Sequence, residues 1–217
     1  MVRKSRGVAW HRGLDVQAVR TAALRILDDE GRDALTMRRL AASLQVEAPS
    51  LYAHVRNKDE LIDAVLDVVL DSVPLPEPGP SVRASLVAGF RSYRRALLAH
   101  PAVVILMTER TRFSQSQVRL AGRSIELLES QGLGVRAAVD THVTLVAYVL
   151  GFILQEVARP TTIPPAVATS SPVVRRALST LTQRSVDERF TVGLELILDG
   201  AGVRRDSRRR DSTGSRS

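Results

Sequence analysis

Apolar residues recur at helical spacing along most of the chain, and glycine or proline interrupts the repeats. The first repeat predicts a helix from Asp15 to Glu30, which Gly31 ends. A short repeat after Thr36 predicts a second helix with that threonine as its N-cap. Pro49 suits the first turn of a third helix, where its missing N–H is not needed. A fourth helix is predicted to begin at Asn57, because an acidic residue three positions later resembles a capping box.

A proline-rich stretch separates these four helices from the rest of the chain. Prolines at positions 74, 76, 78 and 80 cannot lie inside a helix or an inner strand, so a boundary is predicted there. Beyond it the helical period resumes without an alternating strand pattern or an internal repeat, which predicts an all-α fold. The helices predicted in this part are Val82 to Leu97, Ala102 to Arg110, Ser114 to Gln131, Val135 to Ala158, Val173 to Leu181 and Val186 to Asp199.

Composition narrows the class of protein. The sequence contains no cysteine, which excludes disulfides, thiolate zinc sites and thiol nucleophiles and favours a cytoplasmic location. The N-terminal stretch "MVRKSRGVAWHRGLD" has no apolar segment after its charges, so it is not interpreted as a secretory signal. The longest strongly apolar run, Val143 to Leu154, is shorter than the roughly 20 residues of a membrane span. We therefore expect a buried helix there and no membrane partner.

The net charge of +8 is concentrated at the two ends. Residues 1–14 carry four basic residues and no acid, and residues 203–217 carry six arginines against two aspartates. A basic arm beside a folded domain is a device for binding nucleic acid, although many charged termini are only solvated. We expect the tail to be disordered.

The second and third predicted helices have the spacing of a helix-turn-helix, whose second helix enters the major groove of DNA. Leu40, Ala41 and Leu51 can form an inner seam, which leaves Tyr52 and His54 facing outward to contact phosphates and base edges. The pattern also fits an ordinary helical bundle in which both are plain surface residues.

The segment "LTMRRLAASLQVEAPSLYAHVRNKDELIDAVLDVVL", residues 35–70, resembles the N-terminal domain of the tetracycline-repressor (TetR) family of bacterial regulators. "YRRALLAHP", "ELLESQGLG" and "ERFTVGLELILDG" are similar to that family's regulatory domain. Gln45 departs from the family, which often has glycine at this turn position, and would be modestly strained by a positive φ. The resemblance implies DNA contacts at Thr36, Met37, Arg38, Ala48, Pro49, Ser50, Tyr52, His54 and Lys58.

The resemblance also implies a domain organisation. We predict a basic flexible arm at 1–14, a helix-turn-helix DNA-binding domain at 15–60, a helical regulatory and dimerisation domain at 61–202 and a basic tail at 203–217. The helices 135–158 and 186–199 match by position the pair that dimerises the family. The stripe of Phe190, Leu194, Ile197 and Leu198 suits a partner helix, and packing within one chain is the alternative.

The same domain is expected to bind a small effector. Tetracycline repressors hold a magnesium chelate through a histidine and an acidic residue, and those positions here are Met107 and Gln155, beside Glu156. We therefore expect no metal, no cofactor and no magnesium–tetracycline ligand. A small, largely apolar effector is predicted, although each candidate also suits a plain core. The candidate pocket residues are Tyr93, Leu97, Met107, Arg110, Phe113, Arg123, Leu127, His142, Val146, Val149 and Phe152.

The predicted function is a ligand-responsive repressor that binds a pseudo-palindromic operator in double-stranded DNA as a homodimer. An enzyme is not expected, because the four histidines are scattered and no metalloprotease, phosphate-loop or nucleophile-elbow motif occurs. The alternative is a helical protein–protein interaction module without sequence-specific DNA binding. The sequence does not distinguish a repressor from an activator.

Overall fold

The computed structural model describes residues 15–77, 79, 81–158 and 171–205, and these ranges contain helices and no strand. The predicted all-α fold is therefore confirmed. The arm at 1–14, the segment 159–170 and the tail from residue 206 onward lie outside the described residues.

Each helix that the apolar periodicity predicts is present, with bounds that differ by a few residues at most. A short 3-10 turn, Arg32–Ala34, lies between the first two helices. The helices are α1 Val16–Glu30, α2 Met37–Leu44, α3 Ala48–Leu51, α4 Lys58–Asp71, α5 Val82–Ala99, α6 Pro101–Thr108, α7 Gln115–Glu129, α8 Val135–Val157, α9 Pro172–Thr182 and α10 Val186–Gly200.

Side-chain caps fix where the N-terminal helices begin. The Thr36 hydroxyl accepts a hydrogen bond from the Arg39 N–H at 3.1 Å, and the Asn57 side chain accepts from the Glu60 N–H at 2.9 Å. The Glu60 carboxylate accepts from the N–H of Arg56 at 2.8 Å, one residue before the position that a capping box uses. These caps satisfy N–H groups that have no partner inside the helix.

The N-terminal helices pack around a small apolar core. Val19, Ile26 and Leu27 of α1 are buried against Leu40 of α2 and Leu51 of α3. One face of α4 completes this core, and another face contacts α5, α6 and α7. The predicted domain boundary at residues 60 and 61 falls in the first turn of α4, so this helix belongs to the core of both parts.

The C-terminal part is built around α8, which contacts α5, α6, α7 and α10. By length and composition alone α8 could cross a membrane. Leu145, Val149 and Ile153 are nevertheless fully buried against the neighbouring helices. The prediction of a buried core helix is confirmed for this face of α8.

The predicted partner-facing stripe of α10 lies inside the chain instead. Phe190, Leu194 and Leu198 are fully buried, and the Phe190 ring centroid lies 5.6 Å from Tyr148 and 5.2 Å from Phe152 of α8. The prediction that the stripe packs on a partner helix is therefore wrong for these three residues, while Ile197 is partly buried. An apolar stripe shows that a helix face is buried, but it does not show against which neighbour.

Two buried arginines join the helices of the C-terminal part, and the sequence analysis missed both. Arg94 of α5 bonds to Glu156 of α8 and to Asp187 of α10, each at 2.7 Å, and its guanidinium lies 4.8 Å from the Phe190 ring centre. Arg83 near the start of α5 donates at 2.9 Å to the Val203 carbonyl. Each arginine replaces its lost hydration with carboxylates or carbonyls of other helices.

Candidate nucleic-acid interface and ligand cavity

The turn between α2 and α3 sets the direction of the short third helix. Gln45 adopts φ 56° and ψ 38°, the left-handed conformation that the sequence analysis considered for this position. Its N–H and that of Val46 donate to the carbonyls of Ala42 and Ala41, at 3.3 and 3.1 Å. These bonds close the C-terminus of α2 and turn the chain into α3.

The third helix presents polar side chains over an apolar base. Leu51 and Val55 are buried beneath it, while Ser50 is exposed and Tyr52 keeps 52% of its surface exposed. The chain continues as turns after Leu51, with the His54 N–H donating to the Leu51 carbonyl at 2.9 Å. A recognition segment with this arrangement offers a phenol and hydroxyl groups to a DNA groove.

The predicted DNA contacts fall into two groups by exposure. Thr36, Arg38, Pro49, Ser50, Tyr52 and Lys58 are exposed, and Met37, Ala48 and His54 are partly buried. Their assignment to DNA stays a prediction. One cation that the motif-based analysis missed is Arg56, whose side chain is 84% exposed between His54 and Lys58. The Arg56 Nε lies 4.0 Å from the Glu60 carboxylate, whereas Arg39 of α2 is paired closely with Glu30 at 2.8 Å.

A cavity of about 580 Å³ lies in the C-terminal part. Its walls come from α5, α7, α8 and the proline-rich segment after α4, and nearly all of its lining is apolar. Gly89 allows this segment to approach α5, because a Cβ atom there would come within 3.2 Å of Pro76. A cavity of this size and character suits a drug-sized molecule.

Only some of the predicted pocket residues line this cavity: Tyr93, Phe113, His142 and Val146. The side chains of Leu97, Leu127 and Val149 are buried in the core, and Phe152 packs on Phe190. Helical spacing predicts which residues lie on the inner face of a helix. It does not separate core residues from cavity residues, because both lie on that face. Ser124 and Gln117 of α7 also line the cavity, and they were not predicted because they carry no apolar signal.

The two arginines among the predicted pocket residues are already bonded to other groups. Arg110 pairs with Asp63 of α4 at 2.5 Å. Arg123 donates to the Pro76 carbonyl at 2.9 Å and to Glu126 at 3.0 Å. Neither arginine is among the residues that line the cavity.

The positions that correspond to the magnesium ligands of tetracycline repressors also lie outside the lining. The Met107 sulfur is 4.0 Å from the Tyr93 hydroxyl, Gln155 is exposed, and Glu156 is bonded to Arg94. The side chains at these positions therefore do not line the cavity, as the ligands of a bound metal chelate would.

Burial changes the protonation of two groups on the cavity wall. It lowers the pKa of His142 and raises the pKa of Tyr93, since both charged forms would lose hydration. Both side chains are therefore neutral at neutral pH.

A row of aspartates on α4 holds the segment that closes one side of the cavity. Asp63 pairs with Arg110 and Arg112, and Asp67 accepts from the Ser116 N–H at 3.1 Å. One turn further, Asp71 accepts from the Ser116 hydroxyl at 2.5 Å and pairs with Arg119 at 3.0 Å. Because residues four apart share a helix face, this aspartate row fastens the α6–α7 connection to the helix that supports the DNA-facing unit.

The fold and these two sites define a class of protein. A helix-turn-helix joined through one shared helix to a helical domain around an apolar cavity is the architecture of a ligand-responsive transcriptional regulator. Residues 19–65 match "Bacterial regulatory proteins, tetR family", and residues 75–204 match "Tetracyclin repressor-like, C-terminal domain". The chain belongs to the TetR family of DNA-binding regulators, whose members act as dimers.

Individual relatives agree with this assignment. The chain is 32% identical to the class A tetracycline repressor from transposon 1721 of Escherichia coli. The match covers 88% of this chain and 92% of that protein. Apo ActR from Streptomyces coelicolor is similar with a TM-score of 0.75 and 34% identity over 90% of this chain and 96% of ActR. BioQ with its natural double-stranded DNA operator is similar with a TM-score of 0.64 and 28% identity, over 88% and 99% of the two chains.

Proposed function

We propose that the protein is a homodimeric repressor that binds a pseudo-palindromic operator and leaves it when a small, largely apolar molecule fills the 580 Å³ cavity. The observation that carries the proposal is the aspartate row of α4, which connects the cavity wall to the DNA-facing unit. ActR has been solved with actinorhodin and with (S)-DNPA, which supports an organic effector for this related chain.

On the DNA side, Ser50, Tyr52 and His54 contact base edges and phosphates, while Arg38 and Lys58 contact the phosphate backbone. Arg56 adds a further phosphate contact, since its guanidinium is exposed beside them. The other predicted contacts, Thr36, Met37, Ala48 and Pro49, lie at the starts of α2 and α3. The protein acts on DNA in the cytoplasm and catalyses no reaction.

The dimer forms through the outer faces of α8 and α10. Val192 and Leu196 are exposed on α10, on the side away from its buried stripe, and Leu154 and Val157 are exposed near the end of α8. Exposed apolar side chains on two neighbouring helices favour a four-helix interface with the same pair of a second copy. The two recognition segments then face DNA from the same side.

Release follows from the link between the sites. A molecule in the cavity contacts Phe113. Arg112, just before it, and Ser116, three residues after it, are bonded to α4 through Asp63 and Asp67. Displacing this segment tilts α4 and changes the spacing of the two recognition segments. By linkage, operator binding weakens effector binding by the same factor.

The proposal is tested with a labelled duplex that the protein selects from a random-sequence pool. We expect Tyr52→Ala to weaken binding of this duplex by about tenfold, because a lost groove contact costs ~1–3 kcal/mol. Thr180→Ala, an exposed change on α9, is the control and leaves affinity unchanged. Equal affinities of both variants in a fluorescence anisotropy titration would contradict the assignment of the DNA-facing residues.

A further inference from the structure

The cavity has an apolar wall with a few polar groups that have no good partner. The Ser124 hydroxyl oxygen and the His142 Nδ1 are both buried without a hydrogen-bond partner among the described residues. Within the described part of the chain the Tyr93 hydroxyl has only the Met107 sulfur, 4.0 Å away, and a thioether is a weak acceptor. All three residues line the cavity, from α7, α8 and α5 respectively.

Buried polar groups in native proteins are nearly always hydrogen-bonded, because an unpaired one loses its hydration without replacement. Three under-satisfied groups on the wall of one cavity are explained together if a bound molecule completes their bonds. Their positions on three different helices give that molecule a fixed orientation, while the apolar wall supplies the contact area.

The charge of the lining restricts the molecule further. Among the described residues that line the cavity, none is arginine, lysine, aspartate or glutamate. The nearest arginine of α7, Arg123, is already held by the Pro76 carbonyl and Glu126. A carboxylate or an ammonium group would lose its hydration here without gaining an opposite charge.

Aromatic side chains form part of the wall. The rings of Phe90 and His142 lie 6.3 Å apart, and Phe90 also contacts Tyr93 edge-to-face at 6.5 Å. Phe113 belongs to the α6–α7 connection and lines the cavity from that side. Such rings pack well against a flat aromatic body.

We propose that the effector is an uncharged aromatic molecule that carries at least two hydroxyl or carbonyl oxygens, which bond to Ser124 and His142 and, in larger molecules, to Tyr93. This inference rests on the proposed function, in which the cavity is the effector site. It specifies hydrogen-bond groups on the ligand and excludes a net charge.

Three matched probes separate these features: 1,8-dihydroxyanthraquinone, unsubstituted anthracene, which carries no oxygen, and anthraquinone-2-carboxylate. Their affinities for the full chain are measured by equilibrium dialysis at neutral pH. We expect the dihydroxy probe to bind at least tenfold more tightly than the carboxylate, because the carboxylate finds no cation in the described lining.

Two substitutions test the polar groups. Ser124→Ala and His142→Phe each remove a hydrogen-bonding group while preserving most of the side-chain volume. Each is expected to weaken the dihydroxy probe about three- to tenfold, the range for one neutral hydrogen bond, and to leave the unsubstituted probe within about twofold.

Cavity-filling variants separate this inference from the function on which it rests. Val146→Trp on α8 and Ala121→Trp on α7 place an indole in the cavity from two walls. Circular dichroism shows which variant folds, and a folded one should abolish binding of the dihydroxy probe. If the probe binds the filled protein unchanged, the cavity is not the binding site and the proposed effector site fails with it.

If filling the cavity abolishes binding but Ser124→Ala and His142→Phe weaken all probes equally or none, the hydrogen-bonding inference is overturned while the effector site stands. Tight binding of the carboxylate, or no binding of the dihydroxy probe, also overturns it.

Discussion

Two single residues, Gln45 in the turn and Arg94 in the C-terminal part, have energetic consequences that their surroundings determine. Gln45 holds a left-handed conformation, in which a side chain meets steric strain. Arg94 is buried. Its carboxylate partners Glu156 and Asp187 are 62 and 93 residues away in the chain, so only the packed structure brings them together.

Gln45→Gly should stabilise the protein. A side chain in the left-handed region meets steric strain that glycine avoids, and this gain exceeds the extra backbone entropy of the unfolded glycine chain by about 0.5–1 kcal/mol. Urea denaturation of the variant measures the change, with Gln45→Ala as the control that keeps the strain. A lower free energy of unfolding for the glycine variant would contradict this account of the turn.

Arg94→Leu should lower the free energy of unfolding by about 2–3 kcal/mol, since it removes two ion pairs and the contact with the Phe190 ring. Asp187→Asn is the matched control. The Asp187 side chain is 66% exposed, so its loss should cost less than about 1 kcal/mol. Equal losses for both variants in chemical denaturation would show that burial of Arg94 is not what matters.

Among the helices, the sequence predicted where nearly every one begins and ends, but it did not predict which helices pack against each other. Periodicity, caps and the residues Gly31 and Gly132, both at positive φ, place the helix ends within a few residues. The same periodicity assigned the stripe of Phe190 and Leu194 to the wrong neighbour. It also could not separate core residues such as Val149 from cavity residues such as Val146, because both lie on the inward side of α8.

The contact between α4 and the α6–α7 connection should contribute measurably to stability. In a double-mutant cycle of Asp63→Asn and Arg110→Met, we expect a coupling free energy of about 1–2 kcal/mol, because both side chains are mostly buried. The exposed pair Arg32 and Glu109, with side chains 51% and 40% exposed, serves as the control cycle, with an expected coupling below about 0.5 kcal/mol. A coupling free energy near zero for Asp63 and Arg110 would show that this ion pair of the aspartate row does not hold the α6–α7 connection to α4.

At the scale of the whole molecule, the resemblance predicted a dimer, but the residues of its interface had to come from the structure. Once Phe190, Leu194 and Leu198 are seen to be buried, the outward side chains of α10 remain for a second copy. The 66% exposed Leu196 is the largest apolar side chain of this face. We propose this outer face of α10 and the exposed end of α8 as the surface where two chains meet.

Leu196→Arg should convert the dimer into a monomer. A charge in an apolar helix–helix contact is buried without a partner, which costs on the order of several kcal/mol per interface. Sedimentation velocity measures the mass, and Ile105→Arg on α6, an equally drastic change at a 49% exposed residue, is the control. A dimer that persists in Leu196→Arg but dissociates in Ile105→Arg would place the interface elsewhere.

Two copies of this chain are proposed to read a symmetric DNA sequence, and selection of bound duplexes from a random-sequence pool distinguishes this from sequence-independent binding. Purified protein without added ligand should enrich a pseudo-palindrome whose half-sites lie about one helical turn apart, with two chains on each duplex. Binding that depends on salt but enriches no sequence at low or moderate ionic strength would contradict the claim, because phosphate contacts alone produce that behaviour.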